Sequence, residues 1–468
     1  MSCSFFCVNN QADGMIFEKY KGLLILFYMF IRNIRLSLPI LLVLFCYGNC
    51  LHAQDDNDTI YWTLDDCIEY ALENNISISQ SKLSYKQSLL QTEQSEAAWQ
   101  PSLSFGTSYN YGFTPFAETN KNNFSGSYNL NANWTVFNGR RSKTIEQNKL
   151  SDTISLLNVE NVENNVIESI MMQYMTVLYD QESMTTFADN VNVSKLQMER
   201  AKVMLDVGSI AKSDYASLAS QYSNDRYSYL AAKNSMQQDL LQLKQLLEIL
   251  DDINIGVVSP EYSESDVFAA LPDKKIAFEK ALENRPEIKM GKMYIERANQ
   301  SVEIAKAGYL PNISLSAGTG IGHNLPSEMN FGEQVYRRWS NSIGVNLSIP
   351  ILDNKQNKTN VENAKINVES QKLELIDKVK TLYMTIETLW LNARNSQEQY
   401  FAASEQLNAV QTSFDLVSEQ FNLGMKNTTD LLTEKNKLIS AQQDLIVAKY
   451  KAMYNIKILD FYQYGYIK

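Results

Sequence analysis

Four short stretches of the chain alternate between apolar and polar residues. Odd positions from 103 read Leu103, Phe105, Thr107, Tyr109, Tyr111 and Phe113, while the even ones are Ser, Gly or Asn. A second run alternates on even numbers, with Phe124, Tyr128, Leu130, Ala132, Trp134 and Val136 against Ser, Asn and Thr. Ile313, Leu315, Ala317 and Ile321 begin a third run, and Trp339, Ile343, Val345, Leu347 and Ile349 make a fourth. Such alternation puts one face of a strand in an apolar medium and the other in a polar one. The runs are about 11–14 residues, the length of a tilted membrane-spanning strand. A soluble β-sandwich is the competing reading. A polar face made of Ser, Asn, Gly and Thr suits a wet lumen better. Tyr109, Tyr111, Trp134 and Trp339 are placed to serve as membrane-interface aromatics. The connectors "TPFAETNKN" and "NLPSEMNFGEQVYR" read as polar loops.

Four strands are too few to close a barrel. An open edge cannot stand in lipid, where its N–H and C=O groups find no partners. If the strands span a membrane, several chains must pool them.

Elsewhere the pattern is helical and long. Residues 140–207, 211–254, 353–423 and 425–464 contain neither Gly nor Pro. Helices of 65–70 residues reach about 100 Å at 1.5 Å per residue. Their apolar seams keep a sevenfold beat: Tyr215, Tyr222, Tyr229, Met236, Leu243 and Leu250 form one series, and Leu431, Leu438 and Leu445 another. That spacing predicts coiled-coil packing. Paired apolar rows predict two neighbours for each helix, as in a tube wall.

The pattern occurs twice. "YALENN" at 70–75 answers "KALENR" at 280–285, and Pro101 answers Pro311, both 210 residues apart. Gly208 to Gly424 is 216, as is Asp214 to Asp430. The ordered offsets read as two copies of one unit. The expected organisation is a leader over 1–53, a collar segment over 54–100, a β-hairpin over 101–138 and helices over 139–250. A second collar segment and helix over 251–310, a hairpin over 311–352, helices over 353–464 and a tail over 465–468 follow.

The leader rests on Arg32 and Arg35 ahead of the apolar run Leu36 to Phe45, with cleavage expected after Ala53. A membrane anchor, a lipoprotein signal ending at Cys50, and true starts at Met15 or Met29 are the alternatives. Without 1–53, Cys67 is the only cysteine and His323 the only histidine, so no internal disulfide is expected. The formal charge is -11; the leader carries four basic and two acidic residues, leaving -11 - 2 = -13. That balance argues against a nucleic-acid partner. No phosphate loop, metal-ligand spacing or catalytic cluster accompanies His323, so neither an enzyme, a cofactor nor a metal site is expected.

Taken in order and doubled, "ALEN", the strand entries "QPSLSFG" and "LPNISLSAG", the exit "WTVFNGRR" and two glycine-to-aspartate turns resemble the TolC family of outer-membrane efflux and secretion ducts. The similarity runs from about Trp62 to Tyr462. The resemblance implies a mostly helical fold with membrane β-structure. A homotrimer would pool four strands per chain into a 12-strand transmembrane β-barrel above a long coiled-coil α-helical barrel. It implies a passive exit duct in the outer membrane of a Gram-negative bacterium, in contact with outer-membrane lipid. A periplasmic membrane-fusion adaptor and an inner-membrane pump of RND or ABC type would be its partners. An exported coiled-coil rod or adhesin is the alternative.

By the same resemblance the turns lie at the periplasmic end. Val207, Gly208 and Ser209, with Leu423, Gly424 and Met425, become adaptor-docking tips. Ser213, Asp214, Phe421, Lys426, Asp430 and Thr433 become gate residues. Lys426 stands where a gating arginine is often found, with Ser213 and Asp214 as its hydrogen-bonding partners. Phe421 replaces a tyrosine of some members and Thr433 a lumen aspartate. Read from the residues alone, the glycines are helix C-caps and the aspartates helix N-terminal acids.

Overall fold

A computed structural model describes residues 59–116, 122–250, 254–260 and 267–465. The expected leader and most of the expected tail lie outside the described residues. In chain order the elements are β1 (Ile60–Trp62), α1 (Leu64–Asn74), α2 (Ile76–Ala97), β2 (Ser102–Phe113), β3 (Asn122–Asn138), α3 (Gly139–Asp206) and α4 (Lys212–Leu246). Then come β4 (Ile255–Val257), α5 (Lys274–Asn284), α6 (Pro286–Lys306), β5 (Asn312–Leu325), α7 (Phe331–Arg337), β6 (Ser340–Ser348), α8 (Gln356–Asn422) and α9 (Thr428–Tyr464).

The alternating stretches form one antiparallel sheet in the order β2-β3-β5-β6. Register puts like on like. Phe105 lies opposite Leu130, Trp134 opposite Leu315, and Ala317 opposite Ile343, so the apolar side chains share one face. On the other face, glycines sit beside amides. A Cβ on Gly320 would stand 2.4 Å from Asn129 Oδ1, and one on Gly318 would stand 3.1 Å from Asn131 Oδ1. The missing side chains let the amides lie against the sheet. Trp134 is near the helical end of the apolar face, and its indole donates to the Trp99 carbonyl at 2.9 Å. Tyr109 and Tyr111 are at the far end, whereas Trp339, expected at a membrane interface, donates to Thr319 Oγ at 2.7 Å, level with Leu130 about midway along β3; all three are more than half exposed. From Phe124 to Trp134 is ten residues of β3, about 33 Å along the strand, or ~25 Å across a membrane at a tilt near 40°. β2 and β6 present their outer edges unpaired among the described residues.

The second connector is not simply a loop. β5 runs on to Leu325, and Phe331–Arg337 forms α7. Asn330 caps α7 by accepting from the Glu333 amide at 2.8 Å, and Arg337 pairs with Glu333 one turn back at 3.0 Å. The cap and the i,i+4 pair were both present in what reads as a polar run.

The long segments are long helices: α3 has 68 residues, α8 67, α4 35 and α9 37. α3 lies between α4 and α9, and α9 between α3 and α8. Seam residues Leu243, Leu431 and Leu438 are buried, Tyr215, Tyr222, Tyr229 and Met236 are half-buried, and Leu218, outside the sevenfold series, is buried beside them. The first seam ends earlier than its spacing implies. α4 stops at Leu246, Glu248 turns left-handed with φ 59°, and Leu250 is 97% exposed. The Ile249 amide bonds to the Lys244 carbonyl, closing the turn without a glycine.

Around the middle of α3 sits a small mixed layer. β1 and β4 pair in parallel, and the Tyr174 hydroxyl lies 2.7 Å from the Val258 carbonyl oxygen and 3.2 Å from that of Trp62. Cys67, Ala71, Ile170, Leu178 and Ala452 bury the joint. Cys67 is a free thiol pushed up to about 12, first by burial and then by the Asp66 charge, which leaves it unreactive.

Candidate gate and docking tips

The two tips turn through the same backbone. Gly208 and Gly424 take φ 77° and 76°, the left-handed region that favours glycine. In the first, the Ser209 amide bonds to the Met204 carbonyl at 2.8 Å; in the second, Met425 bonds to Gln420 at 2.9 Å. Both are Schellman closures of a long helix. Val207, Leu423 and Met425 are apolar and about 70% exposed or more. Ser209 turns its hydroxyl inward to the Met204 carbonyl.

The aspartates do different work. Asp214 accepts from the Ala211 amide at 3.3 Å, the acid half of a capping box at the start of α4. At the start of α9 the Asn427 side chain accepts from the Asp430 amide at 2.8 Å. This leaves the Asp430 carboxylate for Lys426, 3.5 Å away and as exposed as its partner. Within the chain Lys426 therefore pairs on its own tip, while Ser213 and Asp214 belong to the other. Phe421 is buried with Ala201, Leu218, Phe414, Leu431 and Leu438 and acts as tip core. The Thr433 hydroxyl donates to the Thr429 carbonyl at 2.8 Å. Between the ends of α3 and α8, tied by Arg200 to Asn422 at 2.6 Å, lies a cleft of about 500 Å³ lined by Leu196, Val203 and Phe421.

Just above the tips is a site that the sequence reading missed. The Lys435 ammonium lies 2.6 Å from Asp225, both almost wholly buried. Gln221 donates to the other Asp225 oxygen at 2.8 Å, and the Asn190 carbonyl stands 3.5 Å from Lys435. Burial pulls the Lys435 ammonium below its usual range, opposed by the hydrogen bond and charge of Asp225. The pair fastens α4 to α9, that is, one hairpin to the other. A signal was available. Lys435 stands at seam spacing between Leu431 and Leu438, as Asp225 does between Leu218 and Tyr229, where an apolar residue is the rule.

A long two-helix hairpin with a glycine-capped tip, repeated and joined to an amphipathic sheet, is the arrangement that comparison identifies. The family described as outer membrane efflux protein matches residues 67–248 and 277–455. The chain belongs to that family. The outer membrane efflux protein BepC of Brucella suis is 21% identical over 398 residues, covering 83% of this chain and 84% of BepC. The outer membrane protein TolC of Escherichia coli is 20% identical over 374 residues, covering 76% of this chain and 72% of TolC. Among solved structures, the Campylobacter jejuni CmeC outer membrane channel superposes with a TM-score of 0.69 at 18% identity, covering 86% of each chain. The open state of the Neisseria gonorrhoeae MtrE channel gives 0.68, also at 18%, over 86% of this chain and 88% of MtrE. At these identities the structures show a shared fold. The family is one of transport proteins. Among the described residues no cluster of His, Cys, Asp and Glu could hold a metal ion.

Proposed function

We propose that this chain is one third of an outer-membrane exit duct, the passive last stage of a tripartite efflux or type I secretion system in a Gram-negative bacterium. One observation carries the reading. A four-stranded sheet, apolar on one face and lined with Ser, Asn and Gly on the other, ends in unpaired edges and continues into helices of 67 and 68 residues. Three copies bring twelve strands, enough to close a barrel in which every edge is paired. The apolar face then meets lipid, with aromatics at both interfaces, and the amide-rich face lines the pore. A coiled-coil rod or adhesin has no use for such a sheet, and the relatives give that alternative no support.

The helices supply the periplasmic length, and the tips are its far end. Exposed Val207, Leu423 and Met425 and the cleft above them are the surface for a helical adaptor hairpin, which connects to an RND or ABC pump. In the closed trimer Lys426 exchanges Asp430 for Ser213 and Asp214 of a neighbouring copy. An exposed pair contributes about 0–1 kcal/mol, so closure rests more on the packing of Phe421 and its neighbours than on charge.

The test is mass and conductance. Mild detergent extraction should give a species of three chains, and planar bilayers should show a low-conductance closed channel. Asp214→Ala and Lys426→Ala should each raise conductance. A monodisperse monomer without channels would overturn the duct. Unchanged conductance in both variants would remove the ion-pair gate alone.

A further inference from the structure

Where α3 passes α9 at the level of the β1–β4 layer, the helices leave an apolar cleft of about 230 Å³. Met175 and Tyr450 form its floor; Met172 and Tyr179 on α3, and Val447 and Lys451 on α9, form its walls. Met172 is 53% exposed and Val447 46%.

The direction the cleft faces follows from what occupies the other sides of α3. Tyr174 is bound to the β1–β4 layer. Gln173 reaches the Asp239 carbonyl of α4 at 2.8 Å. Glu182 takes Lys449 and Tyr450 of α9. At about 100° per residue, Met172 and Tyr179 fall on the remaining side, roughly opposite Tyr174. α3 and α9 are also the inner pair of the four helices, with α4 and α8 at the edges. A neighbouring copy joins at an edge and leaves the α3–α9 seam open to the enclosed space.

Resting on the duct reading above, we propose that this cleft is a binding site on the pore wall for a small apolar anion, an aromatic or short-chain body with a sulfonate, sulfate or carboxylate head. Charge selects the sign. Lys449 is held by Glu182 at 2.7 Å, but Lys451, two residues on, has no ion pair among the described residues, and no carboxylate lines the cleft. Two thioethers and the phenol rings of Tyr179, Tyr450 and Tyr454 make a polarisable surface that accommodates a flat ring or an acyl chain. The volume of about 230 Å³ is that of roughly eight waters at ~30 Å³ each, enough to seat one fused ring system, with any further ring left at the open mouth. Each trimer carries three such sites.

The experiment uses the full-length trimer in lipid nanodiscs, titrated with 8-anilinonaphthalene-1-sulfonate against protein-free nanodiscs. Saturable binding of one probe per chain is expected. Val447→Trp, which fills the cleft from an exposed position, should weaken it by about tenfold or more. Lys451→Gln should weaken it by about fivefold and shift the uncharged probe N-phenyl-1-naphthylamine by less than about twofold. No saturable binding, or equal binding in Val447→Trp and the parent, overturns the site. Bilayer conductance on the same samples separates the two readings. Conducting trimers without binding remove the cleft and keep the duct, whereas binding without trimers or conductance removes the pore wall and the proposal with it.

Discussion

The hairpins α3–α4 and α8–α9 turn alike and finish differently. Their glycines share one φ to within a degree, because a long helix that must reverse needs a left-handed residue after its last turn. The next step is free to vary. Ala211 has no side-chain acceptor, so Asp214 folds back to cap α4; Asn427 caps α9 itself, and Asp430 is released to meet Lys426. The same contrast recurs halfway up. Asp180 and Asp239 of the first hairpin stand 216 residues before Ser396 and Asn455 of the second. In the second hairpin the Asn455 amide donates to Ser396 Oγ at 3.2 Å. In the first, burial pushes Asp180 up to about 7, with the hydrogen bond and charge of Asp239 adding to it. One buried Asp180 oxygen has no donor unless a proton is shared between the two acids. Equivalent positions thus hold a group that titrates near neutrality in one hairpin and groups that do not in the other.

The largest expected effect comes from cutting the link between the hairpins. Lys435→Met leaves Asp225 buried and uncompensated, and should cost about 3–5 kcal/mol. Adding Asp225→Leu should recover most of it. Denaturant unfolding followed by helical circular dichroism checks both, and a single variant as stable as the parent would show that the hairpins need no such fastening. Next comes the carboxylate pair. Between roughly pH 4 and 7 the folded Asp180 keeps a proton that the unfolded chain releases, so stability falls as pH rises through that window. Asp180→Asn should flatten the decline, raising the melting midpoint at pH 7.5 by a few degrees while changing it little at pH 5. Ser396→Ala should leave the pH slope as it is, and an equal change of slope in the two variants would erase the distinction. Cap exchange is smaller. Asn427→Ala should cost about 1 kcal/mol, and Ala211→Asn should gain a similar amount by giving the first tip the cap of the second. Smallest of all is Lys426→Gln, below about 1 kcal/mol in unfolding, its effect confined to conductance.

Much of this was readable along the chain. Alternation located the strands to within a few residues, since a sheet with unlike faces admits only a period of two. Gly- and Pro-free length located the helices. The helix within the second connector was legible in Asn330, Glu333 and Arg337 but hidden by the polarity of its surroundings. The end of α4 was not legible, because Glu248 takes a conformation that sequence assigns to glycine. The gate residues were placed on the tips, but their partners were not. Asp214 and Asp430 look equivalent, and only the cap beside each separates their roles.

Local periodicity, glycine placement and the doubled order of motifs by themselves determined the strands, the long helices and the two tips, because each depends on residues near in sequence. Only the tertiary structure decided that Lys435 meets Asp225 across 210 residues, that Asp180 is buried against Asp239, and that Met172 faces away from the β1–β4 layer. Those facts depend on which helices become neighbours and how each is rotated about its axis. A seam repeating every seven residues fixes neither, since it is satisfied equally well by several partners.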